Sequence, residues 1–595
     1  MHTHEEVDRQ DIAGVGVSGP IIAMPVTDAQ HNSAAESTLL TALSPPEDMP
    51  DIHLIDWPAG TGKTRAVIKD VIRAVKAGYK VIWTTPTVGV LQRETFKRLT
   101  GESSFDELDE YLSDLDVYLI NATVREEEGY TDIGSMIYQV VLDDIEMMPG
   151  EGRVFLCSWV GFQASGSLRR AAKFRAFPKT RLIVDEVPEV LAFTFYQSAD
   201  VNFRDYLSFS KGIVTPLPEQ QAHWEAAVKG VSNNSVFDDS DRLKELAALL
   251  INPEYVTTLA KHSIRAKIHL TSYLLPSVFS SFKEVEVLGA NSRHSLMYLL
   301  YTKWGVRFRI NEKYEDDRRP IDHLGDLFTI VPIQDVAITK NAMSKKAKAR
   351  WVVGRLFDIV KAFYGAEKPF IYCVNNAVNV GPMPEQAYKT ASMLHGSNEY
   401  TNFEAAAFLC SLNPGLEFLQ DLEERWGIDY GVYLRARTAE VIYQYSYRIK
   451  ARLGDRSLAT RYLIVVLDRM SAAALREKIP GSVVDESYIE EDPEQKFAGN
   501  AGNGIAGFLR LTPPESQRLR EYKALVDKCH KEGRMISVQD ALSTTGPTRY
   551  NNLIAMAENN DVSITDLEAI LLGFDGRSIF PKPVLSKLDF GFSNI

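Results

Sequence analysis

The chain has 595 residues, 45% of them apolar and 24% charged, with a formal net charge of −13. This is room for about three or four ordinary domains with a large core, and the acidic balance excludes a uniformly basic coat for nucleic acid, leaving local basic surfaces or backbone donors in a cleft. No apolar run reaches the ~18 residues of a membrane span, the N-terminus (His4, Glu5, Glu6, Asp8) lacks a secretory pattern, and Cys157, Cys373, Cys410 and Cys529, with no CxxC pair, point to a reducing cytoplasm rather than to zinc or disulfides.

Residues 1–49 mix Ser, Ala, Pro, Asp and His without periodicity and are expected to be a disordered tail. From 50 to 310 a first α/β domain is expected. Its strand candidates are 52–56, 80–84, 116–120, 153–157 and 181–185, alternating with helical patterns as in a parallel sheet. The acidic stretch 101–150 is expected to be a surface elaboration, 216–262 helical, and 267–271 a strand. The polar segment 311–322 reads as an interdomain connection. A second α/β domain over 311–483 is expected from a helix at 350–364, strands at 369–374 and 462–467 and a helix at 471–478. Residues 484–510, acidic and then glycine-rich, read as a linker. The remainder, 511–595, has a helical pattern with a possible helix-turn-helix over 536–553.

The strongest chemical signal is Pro58-Ala59-Gly60-Thr61-Gly62-Lys63-Thr64, after an apolar strand and before an amphipathic helix. Small residues let successive backbone N–H groups curl around a phosphate, and the helix presents its positive end to the anion. Lys63 is placed to reach the β- and γ-phosphates, and the Thr64 hydroxyl to ligate Mg²⁺. Trp57 stands where the GxxxxGK[ST] pattern has glycine, and reads as a packing residue beside the cradle. A second apolar strand, Arg181 to Val184, ends in Asp185-Glu186. Asp185 would hold Mg²⁺ through water, and Glu186 would orient or deprotonate an attacking water. Gln444, Arg448 and Arg452 recur at spacing four, which predicts one helical face with two guanidiniums able to stabilise charge on a transferring phosphate. Two α/β units with phosphate residues only in the first suggest a cleft between tandem RecA-like domains.

In the order of these motifs, residues 50–480 resemble a superfamily 2 DEAD/DEAH-like helicase, and more closely the divergent helicase-like proteins of phages and bacterial mobile elements. The resemblance implies two tandem RecA-like P-loop domains, here followed by a small helical C-terminal domain. It places Thr85, Pro86 and Thr87 in a motif that grips the nucleic-acid backbone, and Ser158, Gly396 and Asn398 in further strand-contacting motifs. Thr271 and Ser272 occupy the position of the motif that couples hydrolysis to movement. Gln444, Arg448 and Arg452 match the motif whose arginines reach the γ-phosphate. The activity so implied is an ATP- and Mg²⁺-dependent helicase or translocase on single-stranded or forked nucleic acid, DNA ahead of RNA, with replication proteins as partners. The alternative is a nucleotide-gated replication-assembly factor that does not unwind.

Overall fold

Burial on both faces decides the architecture. In β1 (Ile52–Asp56), β2 (Lys80–Thr85), β3 (Val117–Leu119), β4 (Arg153–Ser158) and β5 (Thr180–Asp185), successive side chains point to opposite faces. Ile52, Leu54, Ile82, Phe155, Cys157, Leu182 and Val184 enter one core. Ile55, Val81, Trp83, Val154, Leu156 and Ile183 enter another. A strand apolar on both faces needs a cover on each, which a parallel sheet with crossover helices supplies. The covers are α1 (Lys63–Lys76), through Ala66, Val67 and Val71, and α2 (Ile133–Met147), through Met136, Ile137 and Val141. Part of the acidic stretch 101–150 is therefore core, not surface decoration: Asp143 and Glu146 of this helix are exposed, whereas Asp144 is buried against Lys80 and Arg153. The computed structural model describes residues 37–86, 116–130, 132–197, 205–210, 212–229, 241–260, 267–318, 324–335, 346–375, 383–392, 399–412, 414–458 and 461–490, with a few isolated positions; these lie in one compact unit ending at Glu490.

Five strands sit between β5 and the return to the first sheet: β6 (Leu191–Gln197), β7 (Leu207–Ser210), β8 (Ile213–Pro216), β9 (Tyr255–Leu259) and β10 (Lys267–Leu274). They form an antiparallel sheet in the order β6-β10-β9-β8-β7, backed by α3 (Gln221–Lys229) and α4 (Asp241–Ile251) around Trp224 and Leu246. The helical expectation for 216–262 holds for these two helices and fails at β9. There Thr257 and Thr258 favour the pleated surface. The chain then adds β11 (Glu284–Gly289) and β12 (Phe308–Ile310), completing the first sheet as β12-β1-β11-β5-β2-β4-β3, with every neighbouring pair parallel.

The second sheet contains β13 (Phe328–Gln334), β14 (Phe370–Val374), β15 (Ala387–Lys389), β16 (Ala405–Leu409), β17 (Tyr462–Asp468) and β18 (Val483–Val484), in the order β15-β14-β16-β17-β13-β18, again parallel throughout. One face is covered by α5 (Lys346–Tyr364). The other is covered by α7 (Ala439–Ser446) and α8 (Arg469–Lys478). Between β16 and α7 lies α6 (Leu416–Trp426), which leaves the second sheet to pack on the inserted one. Phe418 meets Phe193 at 4.9 Å between ring centroids, and Trp426 meets Tyr273 at 5.9 Å while its indole N–H donates to the Tyr273 hydroxyl at 3.1 Å. The expected α/β class with two parallel sheets is thus present. At the N-terminal end, residues 37–43, placed by sequence within a disordered tail, are helical and bury Leu39 and Leu43; two apolar residues one turn apart are too few to show as periodicity, and 1–36 lie outside the described residues. The helix-turn-helix expected over 536–553 lies outside the described residues.

Beneath the first sheet a cluster of charges is buried. Arg181, 2% exposed, places Nη2 2.7 Å from Asp70 of α1 and 2.7 Å from Glu286 of β11. The Tyr314 hydroxyl lies 3.0 Å from both carboxylates, Asn311 donates to Glu286 at 2.9 Å, and Lys313 reaches Asp70 at 2.6 Å. Burial works against ionisation of Asp70, yet Lys313 and Arg181 hold its carboxyl below the ordinary value. The expected interdomain connection, 311–322, is therefore fastened to the first sheet over its described part. Removing one partner from a buried charge set leaves the others uncompensated. Arg181→Met is expected to lower stability by about 3–5 kcal/mol, read as a fall in the urea midpoint.

Candidate functional site

The parallel strands of the first sheet deliver their C-terminal ends to one edge, where ligands of open α/β sheets bind. At the end of β1 the chain turns through Gly60 (φ 82°) and Gly62 (φ 85°), a backbone region open to glycine at no steric cost. The Thr61 hydroxyl fixes the turn by donating to the Pro58 carbonyl at 2.8 Å. Helix α1 begins at Lys63 with no side-chain cap and no acidic residue in its first turn, so its leading N–H groups and positive end face the loop. Trp57 is buried in the core and donates to Glu315 at 2.9 Å.

Lys63 Nζ lies against the loop, donating to the carbonyls of Trp57 (2.9 Å) and Pro58 (3.1 Å). Desolvation lowers its pKa to about 8, against the pull of Asp185, Glu186 and Glu440, while Arg452 adds to the lowering. The Thr64 hydroxyl stands 3.4 Å from both carboxylate oxygens of Asp185, at the end of β5. These oxygens suit a divalent cation, since Mg²⁺ takes one or two protein oxygens and completes its shell with water and phosphate. Among the described residues there is no cluster of three or more His, Cys, Asp or Glu side chains built for a metal, so a cation here would depend on Thr64, Asp185 and phosphate oxygens together.

Two non-glycine residues among those described have positive φ, Glu186 (82°) and Asn291 (54°), and both lie in this cleft. Such conformations cost of order 1–3 kcal/mol and persist where surroundings hold them. Glu186 is held by its N–H to the Leu288 carbonyl at 2.8 Å, and its carboxylate lies 3.4 Å from Arg448 Nη2 of the second sheet's side. Arg448 is 5% exposed; burial lowers its pKa, opposed by Glu186 and Asp185. Gln444 donates to Glu440 at 3.2 Å. The expected single helical face is not what places these groups. Helix α7 ends at Ser446; Ile449 is extended (ψ −170°), and Arg452 sits in a separate 3-10 turn, Lys450–Leu453. The bend, not helical spacing, carries Arg448 to Glu186 and Arg452 to within electrostatic reach of Lys63.

Three contacts absent from the sequence analysis complete the cleft. Ala59 N–H donates to the hydroxyl of Tyr443, on α7, at 3.1 Å. The turn after β11 is tied to the end of β1 because Asp56 accepts from Ser292 N–H at 2.5 Å and from Arg293 Nε at 2.9 Å. In the same turn the Asn291 amide donates to Glu440 at 3.1 Å. Glu440, one helical turn before Gln444, carried a signal in its spacing; Asn291 carried none without the topology.

Thr271 and Ser272 do not join this group. Both are buried in β10 of the inserted antiparallel sheet, where Ser272 Oγ meets Thr257 Oγ1 at 2.8 Å. Motif order brought the sequence to a hydroxyl pair after a strand, but the strand lying between β1 and β5 is β11, and its following turn, Gly289 to Arg293, reaches the second sheet. Thr85 and Ser158 lie in register at the ends of β2 and β4. Both are buried, and Ser158 caps the next helix by accepting from Gly161 N–H at 3.1 Å. Pro86 is half-exposed beside them. Thr87, Gly396 and Asn398 lie outside the described residues.

No family model and no curated protein matches the chain. Solved structures do. An XPD helicase is 10% identical, with 78% of this chain aligned to 100% of that one at a TM-score of 0.38. The NS3-like helicase from Alongshan virus is 10% identical over 73% of this chain and 76% of that one, at 0.25. Mss116p bound to ssRNA and AMP-PNP is 11% identical over 96% and 93%, at 0.27. No helix among the described residues is long and apolar enough to cross a membrane.

The lowered pKa of Lys63 predicts how polyphosphate binding depends on pH. Below about pH 8 the ammonium is already present. Above it, binding an anion that favours the charged form requires proton uptake. The dissociation constant is expected to be flat from about pH 6.5 to 7.5 and then to rise towards tenfold per unit, with the slope removed in Lys63→Ala, as read by calorimetric titration at constant ionic strength.

Proposed function

We propose that the chain is an ATP- and Mg²⁺-dependent translocase or helicase acting on single-stranded or forked nucleic acid. The observation that carries this proposal is the meeting, across one cleft, of the Lys63 loop, the Thr64–Asp185 pair and Glu186 with Arg448 from the second sheet's side. In this reading the backbone N–H groups of 60–64 and Lys63 hold the β- and γ-phosphates, and the chain acts on the terminal phosphoryl group. Thr64 and Asp185 hold the divalent cation, which neutralises charge on the phosphate oxygens when bound. Glu186 accepts the proton of the attacking water as its oxygen bonds to the γ-phosphorus; ADP leaves with the electrons of the broken P–O bond. Arg448 and Arg452 stabilise charge on the transferring group, as arginine fingers do. Because the arginines and the phosphate loop belong to different sheets, hydrolysis requires the cleft to close, and closing and reopening is the step that moves a strand.

The strand lies along the edge carrying Thr85, Pro86 and Ser158. The sequence resemblance adds Thr87, Gly396 and Asn398 as backbone contacts. Since Thr85 and Ser158 are buried, backbone groups at these strand ends and Pro86 make the contact rather than the two hydroxyls. Coupling runs through the Gly289–Arg293 turn, which touches both the end of β1 and Glu440. DNA is favoured over RNA on the sequence resemblance and the helix-turn-helix pattern, and replication of a phage or mobile element, with replication proteins as partners, is the setting on the resemblance; a cytoplasmic location rests on the four scattered cysteines.

The test is ATP hydrolysis measured with and without single- and double-stranded DNA and RNA. Stimulation by a single strand is expected. Lys63→Ala and Glu186→Gln should lower the stimulated rate about 10²-fold or more, and Arg448→Ala about 10³-fold. Equal rates with and without every nucleic acid would count against a motor; stimulated hydrolysis without strand displacement on a fork would favour the nucleotide-gated assembly factor.

A further inference from the structure

Glu440 has no place in the hydrolytic scheme, yet it is the anionic centre of the second sheet's side of the cleft. Its carboxylate, 15% exposed, accepts from Asn291 Nδ2 at 3.1 Å and from Gln444 Nε2 at 3.2 Å, and pairs with Lys478 Nζ of α8 at 2.8 Å. The same helix presents Tyr443 to the phosphate loop. A carboxylate that gathers two amide donors and an ammonium, three residues before the tyrosine that meets the phosphate loop, does so with the chemistry of a terminal phosphate.

We propose that Glu440 is a specificity-determining residue that competes electrostatically with the terminal phosphate and thereby sets the affinity for nucleoside triphosphate relative to diphosphate. This rests on the nucleotide-site reading above. The argument is Coulombic. A γ-phosphate adds charge on the side of the cleft where Glu440 sits, and in a half-buried site like charges repel far more than in water. A diphosphate, whose charge ends nearer the loop, feels Glu440 less. Lys478 partly neutralises Glu440, so the two residues have opposite influence on the same preference. A role limited to holding α7 against α8 would give both substitutions the same sign, because each breaks the same ion pair.

The experiment uses the full chain with Mg²⁺ at pH 6.5, where Lys63 is charged, and titrates a non-hydrolysable ATP analogue and ADP separately. Glu440→Gln keeps an acceptor oxygen for Asn291 and Gln444 while removing the charge. It is expected to bind the triphosphate about fivefold or more tightly, with ADP changed less than about twofold. Lys478→Gln leaves the carboxylate unneutralised and is expected to weaken the triphosphate selectively. Urea midpoints of both variants report whether each is folded.

Equal effects on the two nucleotides, or weakening by both variants, overturn the proposal. If wild type hydrolyses ATP in a Lys63-dependent manner while Glu440→Gln shows no selectivity, the role of Glu440 falls and the nucleotide site stands. If wild type binds neither nucleotide, both fall.

Discussion

The cleft depends on a clamp that lies well away from it. Asp70 is a helical turn and a half along α1 from Thr64, and Arg181 lies near the start of the strand that ends in Asp185. Their ion pair, shared with Glu286 and Tyr314, fixes α1 against β5 at one end. At the other end this leaves the Thr64 hydroxyl and the Asp185 carboxylate 3.4 Å apart. A helix rises about 1.5 Å per residue and a strand about 3.3 Å, so small errors of tilt at the clamp would be amplified at the site. Isolated, this much buried charge would be costly; its use here is geometric, because charged partners with several hydrogen bonds tolerate few alternative arrangements. Lys313 and Tyr314 bring the connection between the sheets into the same clamp, and Glu315 ties it to Trp57 at the start of the glycine-rich turn.

The two sheets meet in chemically different ways. At the cleft the contacts are polar: Arg448 to Glu186, Asn291 to Glu440, and a tyrosine hydroxyl on a backbone N–H. At the inserted sheet they are aromatic, with Phe193, Phe418, Tyr273 and Trp426 in edge and tilted packings. Polar contacts of this kind exchange readily for ligand contacts, whereas buried aromatic pairs are held by area and do not.

Most of the first sheet was legible because its strands are continuous apolar runs that end in motif residues, as at Ile52–Asp56 and Thr180–Asp185. β11 was not. In Glu284-Val-Glu-Val-Leu-Gly289 the alternating glutamates look like a solvated face, while Glu286 is buried against Arg181, a partner more than a hundred residues away. β16 was hidden by composition, since Ala405-Ala406-Ala407 carries no strand preference and is set by its neighbours β14 and β17. Without β11, β10 was the next strand expected after Asp185, and Thr271 and Ser272, on β10, lie in the inserted sheet away from the cleft. The loop and strand-end residues were legible because their chemistry is local; Tyr443 and Asn291 were not, because their importance lies in what the fold sets across from them, and Glu440 showed only its spacing from Gln444.

The position of β1 has a consequence for synthesis. Its neighbours in the sheet are β11 and β12, both made more than two hundred residues later. At about 5–20 residues per second the strand that ends in the phosphate loop therefore waits on the order of ten seconds or more after emerging before either edge can be paired. During that interval Ile52-His-Leu-Ile-Asp56 is an apolar segment with two open edges, the kind of template other chains pair with. The glycine-rich turn after β1 is encoded early and assembled late, so a nascent chain halted before β11 carries its most recognisable motif outside the sheet that will hold it.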